Sequence, residues 1–125
     1  HEMVKIDRLD DVLERERIAL VRMMKIDVEG FELEVLRGAS TLLSGKDAPI
    51  ICLEYTKALI KDESDDAISY LKRINKYNFF QLEKSKNTIS KLQRVTDKDK
   101  FRNDDNIFCF LETHLASVPE HLFIK

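Results

Sequence analysis

Leu20-Val21-Arg22-Met23-Met24-Lys25-Ile26-Asp27-Val28-Glu29-Gly30-Phe31-Glu32-Leu33-Glu34-Val35-Leu36-Arg37-Gly38-Ala39 is the stretch that decides the fold. Its first part, Leu20 to Ile26, is a mostly apolar run that stops at an aspartate. Such a run predicts a strand buried on both faces, as in a parallel sheet. Gly30 is a hinge. From Phe31 to Leu43 apolar residues recur at Leu33, Leu36, Ala39 and Leu43, with Val35 and Leu42 widening the stripe. That spacing predicts one helix over 31–43. Glu32 and Glu34 in its first turn and Arg37 further on agree with the helix dipole, and Gly45 stops it.

The pattern then repeats. Pro49 precedes Ile50-Ile51-Cys52-Leu53, a second buried strand ending at Glu54. Asp62, Ser64 or Asp65 can cap the next helix, whose apolar face is Ala67, Ile68, Leu71 and Ile74. Phe79 to Leu82 reads as a third strand. Glu83 to Asp105 is polar and charged, a long surface loop carrying a small hairpin around Ile89 to Val95. Asn106 opens the last strand, Ile107 to Leu111, and Glu112 to Lys125 is a short helix or an extended arm. Upstream, Val4 to Ile6 reads as a strand or the tail of one, Asp7 to Asp11 as a turn, and Val12 to Ile18 as a short helical segment. Strand–helix alternation predicts an α/β layer with a mostly parallel sheet. The closing pair, joined only by a long loop, predicts an antiparallel last strand, as in the second half of a doubly wound sheet.

The 125 residues suit one domain. Charged residues make up 35%, above the roughly 25% of an average soluble domain, so the outer faces are strongly charged. The balance of 21 Lys+Arg against 23 Asp+Glu offers no basic stripe for nucleic acid. Apolar runs reach only about five residues, far short of the about 20 needed to span a bilayer. No signal-peptide pattern is visible, and a cytoplasmic location is expected. The chain opens with His1, which reads as a processed start or a truncation. Cys52 and Cys109 lie in apolar runs on strands expected to be neighbours, and read as buried thiols in a reducing compartment.

In an open α/β sheet, ligands bind beyond the carboxyl ends of the strands. Asp27, with Glu29 two residues on, and Glu54 end two such strands. If those strands are neighbours, the carboxylates share one edge, where they could orient a hydroxyl or amine, take its proton, or hold a cation. The plainer reading is that Asp27 and Glu29 cap the following helix. A metal-dependent nuclease fits poorly, because Lys57 lies three residues after Glu54 rather than two. A nucleophilic triad lacks a histidine, since His1, His114 and His121 are all terminal. The basic loop from Lys84 to Arg102 is diluted by Asp97, Asp99, Asp104 and Asp105, and reads as solvated.

The run Lys25-Ile26-Asp27-Val28-Glu29-Gly30-Phe31-Glu32-Leu33-Glu34-Val35-Leu36-Arg37-Gly38-Ala39 resembles the signature of the FkbM family of S-adenosylmethionine-dependent methyltransferases. Ile6-Asp7-Arg8-Leu9-Asp10-Asp11-Val12-Leu13 is similar to that family's leucine-aspartate-aspartate segment. Ile50 to Glu54 and Asn106-Ile107-Phe108 resemble later strands of the family. The resemblance implies the C-terminal half of a Rossmann-like methyltransferase sheet. It also implies methyl transfer from S-adenosylmethionine to a hydroxyl or amine of a small molecule or glycan. Under it, Asp27 matches the strand end that faces the methyl group and would orient or deprotonate the acceptor. Glu29, Glu54 and Tyr55 would shape the acceptor pocket, and Asp27 and Gly30 would touch the cofactor.

The family pattern also includes a glycine-rich strand-turn-helix that these residues do not contain. The three glycines are Gly30, Gly38 and Gly45, and none forms a Gly-x-Gly turn. The chain is therefore expected to be a truncated methyltransferase-like domain that alone binds S-adenosylmethionine weakly or not at all and is inactive. The alternative is a non-catalytic half-domain serving as a binding or self-assembly module. Without the family's first half, the strand Leu20 to Ile26 would present an unpaired edge, and a homodimer through that edge is expected unless 4–13 or the tail after Glu112 covers it.

Overall fold

A computed structural model describes residues 3–124. Five strands form one sheet: β1 (Met23–Ile26), β2 (Ile50–Tyr55), β3 (Asn78–Glu83), β4 (Lys91–Arg94) and β5 (Asp105–Phe110), in the spatial order β1-β2-β5-β3-β4. The helices are α1 (Leu9–Arg15), α2 (Glu32–Arg37), α3 (Ser40–Ser44), α4 (Ala67–Ile74) and α5 (Glu112–Leu115). Three 3-10 turns, Lys57–Leu59, Lys98–Lys100 and Glu120–Leu122, complete the set.

The α/β class stands, but the sheet is not mostly parallel. Only β1 and β2 pair in parallel. The last strand β5 is antiparallel to β2 on one side and to β3 on the other, and β4 is antiparallel to β3. The physical reason is placement: β5 enters between β2 and β3, so each of its two ladders is antiparallel, and the short β4 returns as a hairpin. The sequence shows these strands but not their neighbours.

Two cores follow from the alternation of side chains along the strands. On one face, Ile26, Ile51, Leu53, Tyr55, Phe79, Ile107 and Cys109 pack with Leu36, Ala39, Leu43, Ile68 and Leu71 of the helices. On the other, Phe80, Leu92 and Phe110 pack with Leu115, Val118 and Phe123 of the tail. Adjacent Phe79 and Phe80 thus serve opposite faces. Cys52 and Cys109 are free, buried thiols on the adjoining strands β2 and β5. Burial pushes both thiols up from their ordinary acidity, Cys109 far more strongly.

The helix expected over 31–43 is two helices. The backbone breaks at Gly38 and Ala39, and Ala39 is fully buried. The break is fixed from outside. Asp10, at the start of α1, accepts hydrogen bonds from the amides of Thr41 (2.8 Å) and Leu42 (3.1 Å), so it caps α3 from another element. Its own amide donates to the Gly38 carbonyl at 2.9 Å. A Cβ on Gly38 would meet Arg8 Cα and Leu9 N at 3.6 Å, ordinary contact distance, so α1 packs directly against this break. Losing a helix cap costs typically about 1 kcal/mol. Asp10→Ala should therefore lower stability by about that amount in urea titrations, with Asp10→Asn, which keeps one acceptor oxygen, retaining part of it.

The remaining differences are smaller. Only Met23–Ile26 of the 20–26 run pairs as a strand, and of that strand only Ile26 is buried, because β1 is an edge rather than an interior strand. Val4 to Ile6 is exposed and forms no strand. The cap of α4 is Asp66, whose carboxylate accepts from Ser69 N at 2.8 Å. Asp62 instead closes a turn onto Ser64, and Asp65 binds Arg37 and Arg73 at 2.7 and 3.0 Å. His1 lies outside the described residues. No helix is long and apolar enough to cross a membrane among the described residues.

Candidate active site at the strand tips

Because β1 and β2 are parallel neighbours, their carboxyl ends coincide. Ile26 and Leu53 form the last rung of this ladder, and Asp27 and Glu54 each follow it directly. Asp27 is exposed and Glu54 half-buried. The turn that follows Asp27 carries two successive left-handed residues, Glu29 (φ 47°) and Gly30 (φ 101°). A side chain at Gly30 would be strained, and its Cβ would lie 3.4 Å from that of Leu59. The Gly30 amide donates to the Glu32 carboxylate at 3.1 Å, so this turn closes on itself.

β5 adds a further acid. Glu54 lies opposite Asn106 and Tyr55 opposite Asp105, which brings Asp104, also left-handed (φ 53°), to the same edge. Desolvation raises the Glu54 carboxyl above its ordinary range. The charge and hydrogen bonding of Asp27 raise it further, as do the charges of Asp104 and Glu29. Asp105 is compensated by Lys84 (3.6 Å) and Arg102 (3.4 Å), so its charge does not add freely to this cluster. No grouping of His, Cys, Asp or Glu suited to a metal ion occurs among the described residues.

Two concavities flank the pair. One is a cleft of about 240 Å³ between α2, the turn Lys57–Leu59 and α4, bordered by Glu54, Tyr55 and Gly30. The other is a wide groove of about 620 Å³ on the β1 side, bordered by Leu9, Met24, Ile26, Asp27, Val28 and Val35. The structure therefore brings Asp27 and Glu54 together and puts Glu54 and Tyr55 on one cleft. Glu29 acts on Glu54 through its charge and borders neither concavity. Gly30 borders the cleft, whereas Asp27 borders the groove.

The β4–β5 loop, whose residues the sequence suggests are solvated, lines neither concavity but bonds Asp66 at the cleft's border. Lys98 reaches the buried Asp66 at 2.7 Å and also bonds Ser69 Oγ (3.0 Å) and the Glu63 carbonyl. Asn103 accepts from Lys57 N at 2.7 Å. Gln81, buried within β3, exchanges two hydrogen bonds with the Arg102 backbone at 2.8 and 3.0 Å. The available signal was local: Asn103-Asp104-Asp105-Asn106 is a turn cluster immediately before an apolar strand. Its destination depended on where β5 pairs.

Carboxylates and two concavities thus lie over the tips of neighbouring parallel strands, the position at which open α/β sheets bind ligands. Residues 3–81 match the methyltransferase FkbM domain, and the chain belongs to that family. The match spans α1 through most of β3 and includes Asp27, Glu29 and Glu54, while Asp104 and the loop that carries it lie beyond it. No curated protein and no solved structure matches the chain.

Proposed function

We propose that these residues form the acceptor side of an S-adenosylmethionine-dependent methyltransferase, part of a longer enzyme that methylates a hydroxyl or amine of a small molecule or glycan. The observation that carries this reading is the pairing of Asp27 with Glu54 over adjoining parallel strand ends, inside the family-matched region. The residues present do not amount to a complete cofactor site. The one glycine in a left-handed turn, Gly30, has its amide bound by Glu32. Neither Gly38 nor Gly45 adds a glycine-rich cradle. S-adenosylmethionine, when bound, would supply an electrophilic methyl group in this chemistry.

What the chain's own residues do is position and deprotonate. Asp27, exposed at the tip, accepts a hydrogen bond from the acceptor's O–H or N–H. It takes that proton as the oxygen or nitrogen lone pair attacks. Glu54 holds a second polar group of the acceptor from the cleft side. Its carboxyl, held above the ordinary carboxylate range by burial and neighbouring acids, marks a site that favours hydrogen-bond donors and positive charge. Holding the acceptor so that its lone pair is aligned accounts for most of the rate advantage in reactions of this type. Supplying the enzyme with methyl-labelled S-adenosylmethionine and a panel of hydroxyl- and amine-bearing acceptors tests the reading. Label should move to at least one acceptor, and its transfer to none would overturn the assignment.

The open edge of β1 supports a further part of the reading, that the chain pairs with a second copy. Of the segments expected to cover this edge, residues 9–15 fold as α1 against α3. The tail bonds β4 instead, with Ile124 N donating to the Leu92 carbonyl at 2.9 Å. Ile18, Leu20, Met23 and Val28 are exposed around β1. An edge strand with one apolar side left unpaired is a template for another chain. Sedimentation of the 125-residue chain at micromolar concentration should show a dimer. A monomer at all concentrations, with β1 amides protected from exchange, would reject it.

A further inference from the structure

We propose that residues 98–103 of the β4–β5 loop act as a strap that sets the width of the cleft, with Lys98 and Asn103 as positioning residues, and so decide the size of molecule the cleft admits. That this molecule is the methyl acceptor rests on the reading above; that the strap shapes the cleft does not.

The cleft has one irregular wall. Its other sides are β2 and the helices α2 and α4, but residues 56–66, between β2 and α4, form only the turn Lys57–Leu59 and a run of turns and bends. Thr56, Leu59, Ile60 and Asp66 of this segment border the cleft. The backbone hydrogen bonds inside it are local. Leu59 N donates to the Thr56 carbonyl, Ile60 N to that of Lys57, and Asp65 N to that of Asp62. Such bonds fix the shape of a segment but not its place. Among the described residues, three side chains from outside the segment and α4 hold it by hydrogen bonds or ion pairs. Arg37 of α2 binds Asp65 at 2.7 Å. Asn103 accepts from Lys57 N at 2.7 Å. Lys98 pairs with Asp66 at 2.7 Å and donates to the Glu63 carbonyl. Two of the three belong to the strap.

The strap is itself fixed to the sheet, so it positions the wall rather than following it. Phe101 is 3% exposed, with its ring 5.3 Å from that of Tyr55 on β2 and edge-on to that of Phe79 on β3 at 6.2 Å. The next residue, Arg102, exchanges its two backbone hydrogen bonds with the buried Gln81 of β3. These anchors at 101 and 102 lie between the tethers at 98 and 103. The wall falls within the family-matched residues and the strap beyond them, so a segment outside the matched domain places a wall inside it. A wall held in place before a ligand arrives lowers the ordering cost of binding, and it rejects molecules that need the wall displaced.

Benzyl alcohol and 2-naphthalenemethanol are neutral probes with one ring and two. At about 240 Å³ the cleft falls just below the roughly 300–1,000 Å³ of drug-sized sites, so it fits the first better than the second. Each is titrated into the 125-residue chain, labelled for amide NMR. Benzyl alcohol should give saturable shifts at Leu59, Ile60 and Ala67 and bind severalfold tighter than the naphthyl probe. Asn103→Ala, at an exposed position, should weaken benzyl alcohol severalfold and erase most of that preference, and Lys98→Met should do the same. Lys100→Ala removes the same charge from the strap, but this side chain is exposed and makes no bond among the described residues, so it should change neither probe. A general loss of stability leaves the ratio of the two affinities in the folded protein unchanged, so the ratio reports the wall. An unchanged ratio in either folded variant, an equal change in Lys100→Ala, or no saturable shifts at the cleft in the unaltered chain would overturn the proposal. In the methyltransferase that carries these residues, Asn103→Ala should raise KM for the acceptor with kcat nearly unchanged. Probe selectivity that follows the strap without methyl transfer to any acceptor sinks only the enzymatic reading; methyl transfer with selectivity indifferent to the strap sinks only this one.

Discussion

Asp27→Asn should reduce kcat by about 10²-fold or more in the methyltransferase that carries these residues, while KM moves little. The asparagine keeps the shape and still accepts a hydrogen bond, but it cannot take the acceptor's proton. Positioned general bases contribute about 10²–10⁴-fold. Glu54→Gln should act differently, raising KM for the acceptor more than it lowers kcat. A stability measurement separates the two roles again. The Glu54 carboxyl is raised in the folded protein, so the folded state binds its proton more tightly than the unfolded chain does. Its contribution to stability is present below the unfolded carboxylate range and is lost as pH rises through the folded value. Glu54→Gln should therefore stabilise the protein at neutral pH and give no such gain in acid. Asp27→Asn removes one of the charges that raise Glu54 and should stabilise in the same direction. An unchanged rate in Asp27→Asn would reduce that residue to a turn former.

Asp66→Ala is the second large effect. Asp66 is 5% exposed, caps α4 through Ser69 N, and pairs with Lys98 at 2.7 Å. The lost cap costs about 1 kcal/mol. Lys98 keeps some access to water, so the broken pair costs less than the full 3–5 kcal/mol of a buried bridge. Together the loss should be about 2–3 kcal/mol, or a thermal midpoint about 10 °C lower for a chain of this size. The β4–β5 loop should loosen with it, seen as faster amide exchange from Lys98 to Asn103. A double variant Asp66→Ala, Lys98→Met should recover part of the loss. If it recovers none, the pair contributes nothing and the cap carries the whole effect.

Much of the sheet was legible because its strands are short apolar runs that stop at polar residues. Ile50 to Glu54, Phe79 to Leu82 and Ile107 to Leu111 all fall within one or two residues of the observed strands. The α4 face was legible for the same local reason, and its Ile68 and Leu71 are buried. What escaped was decided at a distance. The break between α2 and α3 depends on Asp10, 31 residues before the amide it caps at Thr41. The sheet order depends on β5 entering between strands far from it in sequence. At the site, Asp27 and Glu54 could be paired on paper because each ends its own apolar run. Asp104 could not, since its closeness to Glu54 exists only once β5 pairs with β2.

That central position of β5 also sets an order in time. Cys109 faces Ile51 on one side and Phe79 on the other, so one late residue joins the two halves of the sheet. While the chain is being made, the β1–β2 pair and the β3–β4 hairpin can each form early, yet they have no common partner until residues 105–110 emerge. Joining them requires contacts between segments some 30 to 60 residues apart, the kind that slow folding. The surroundings of Glu54 are therefore assembled last. A nascent chain stopped before β5 would hold two sticky fragments with no ligand site, the state in which quality-control proteases and chaperones find it.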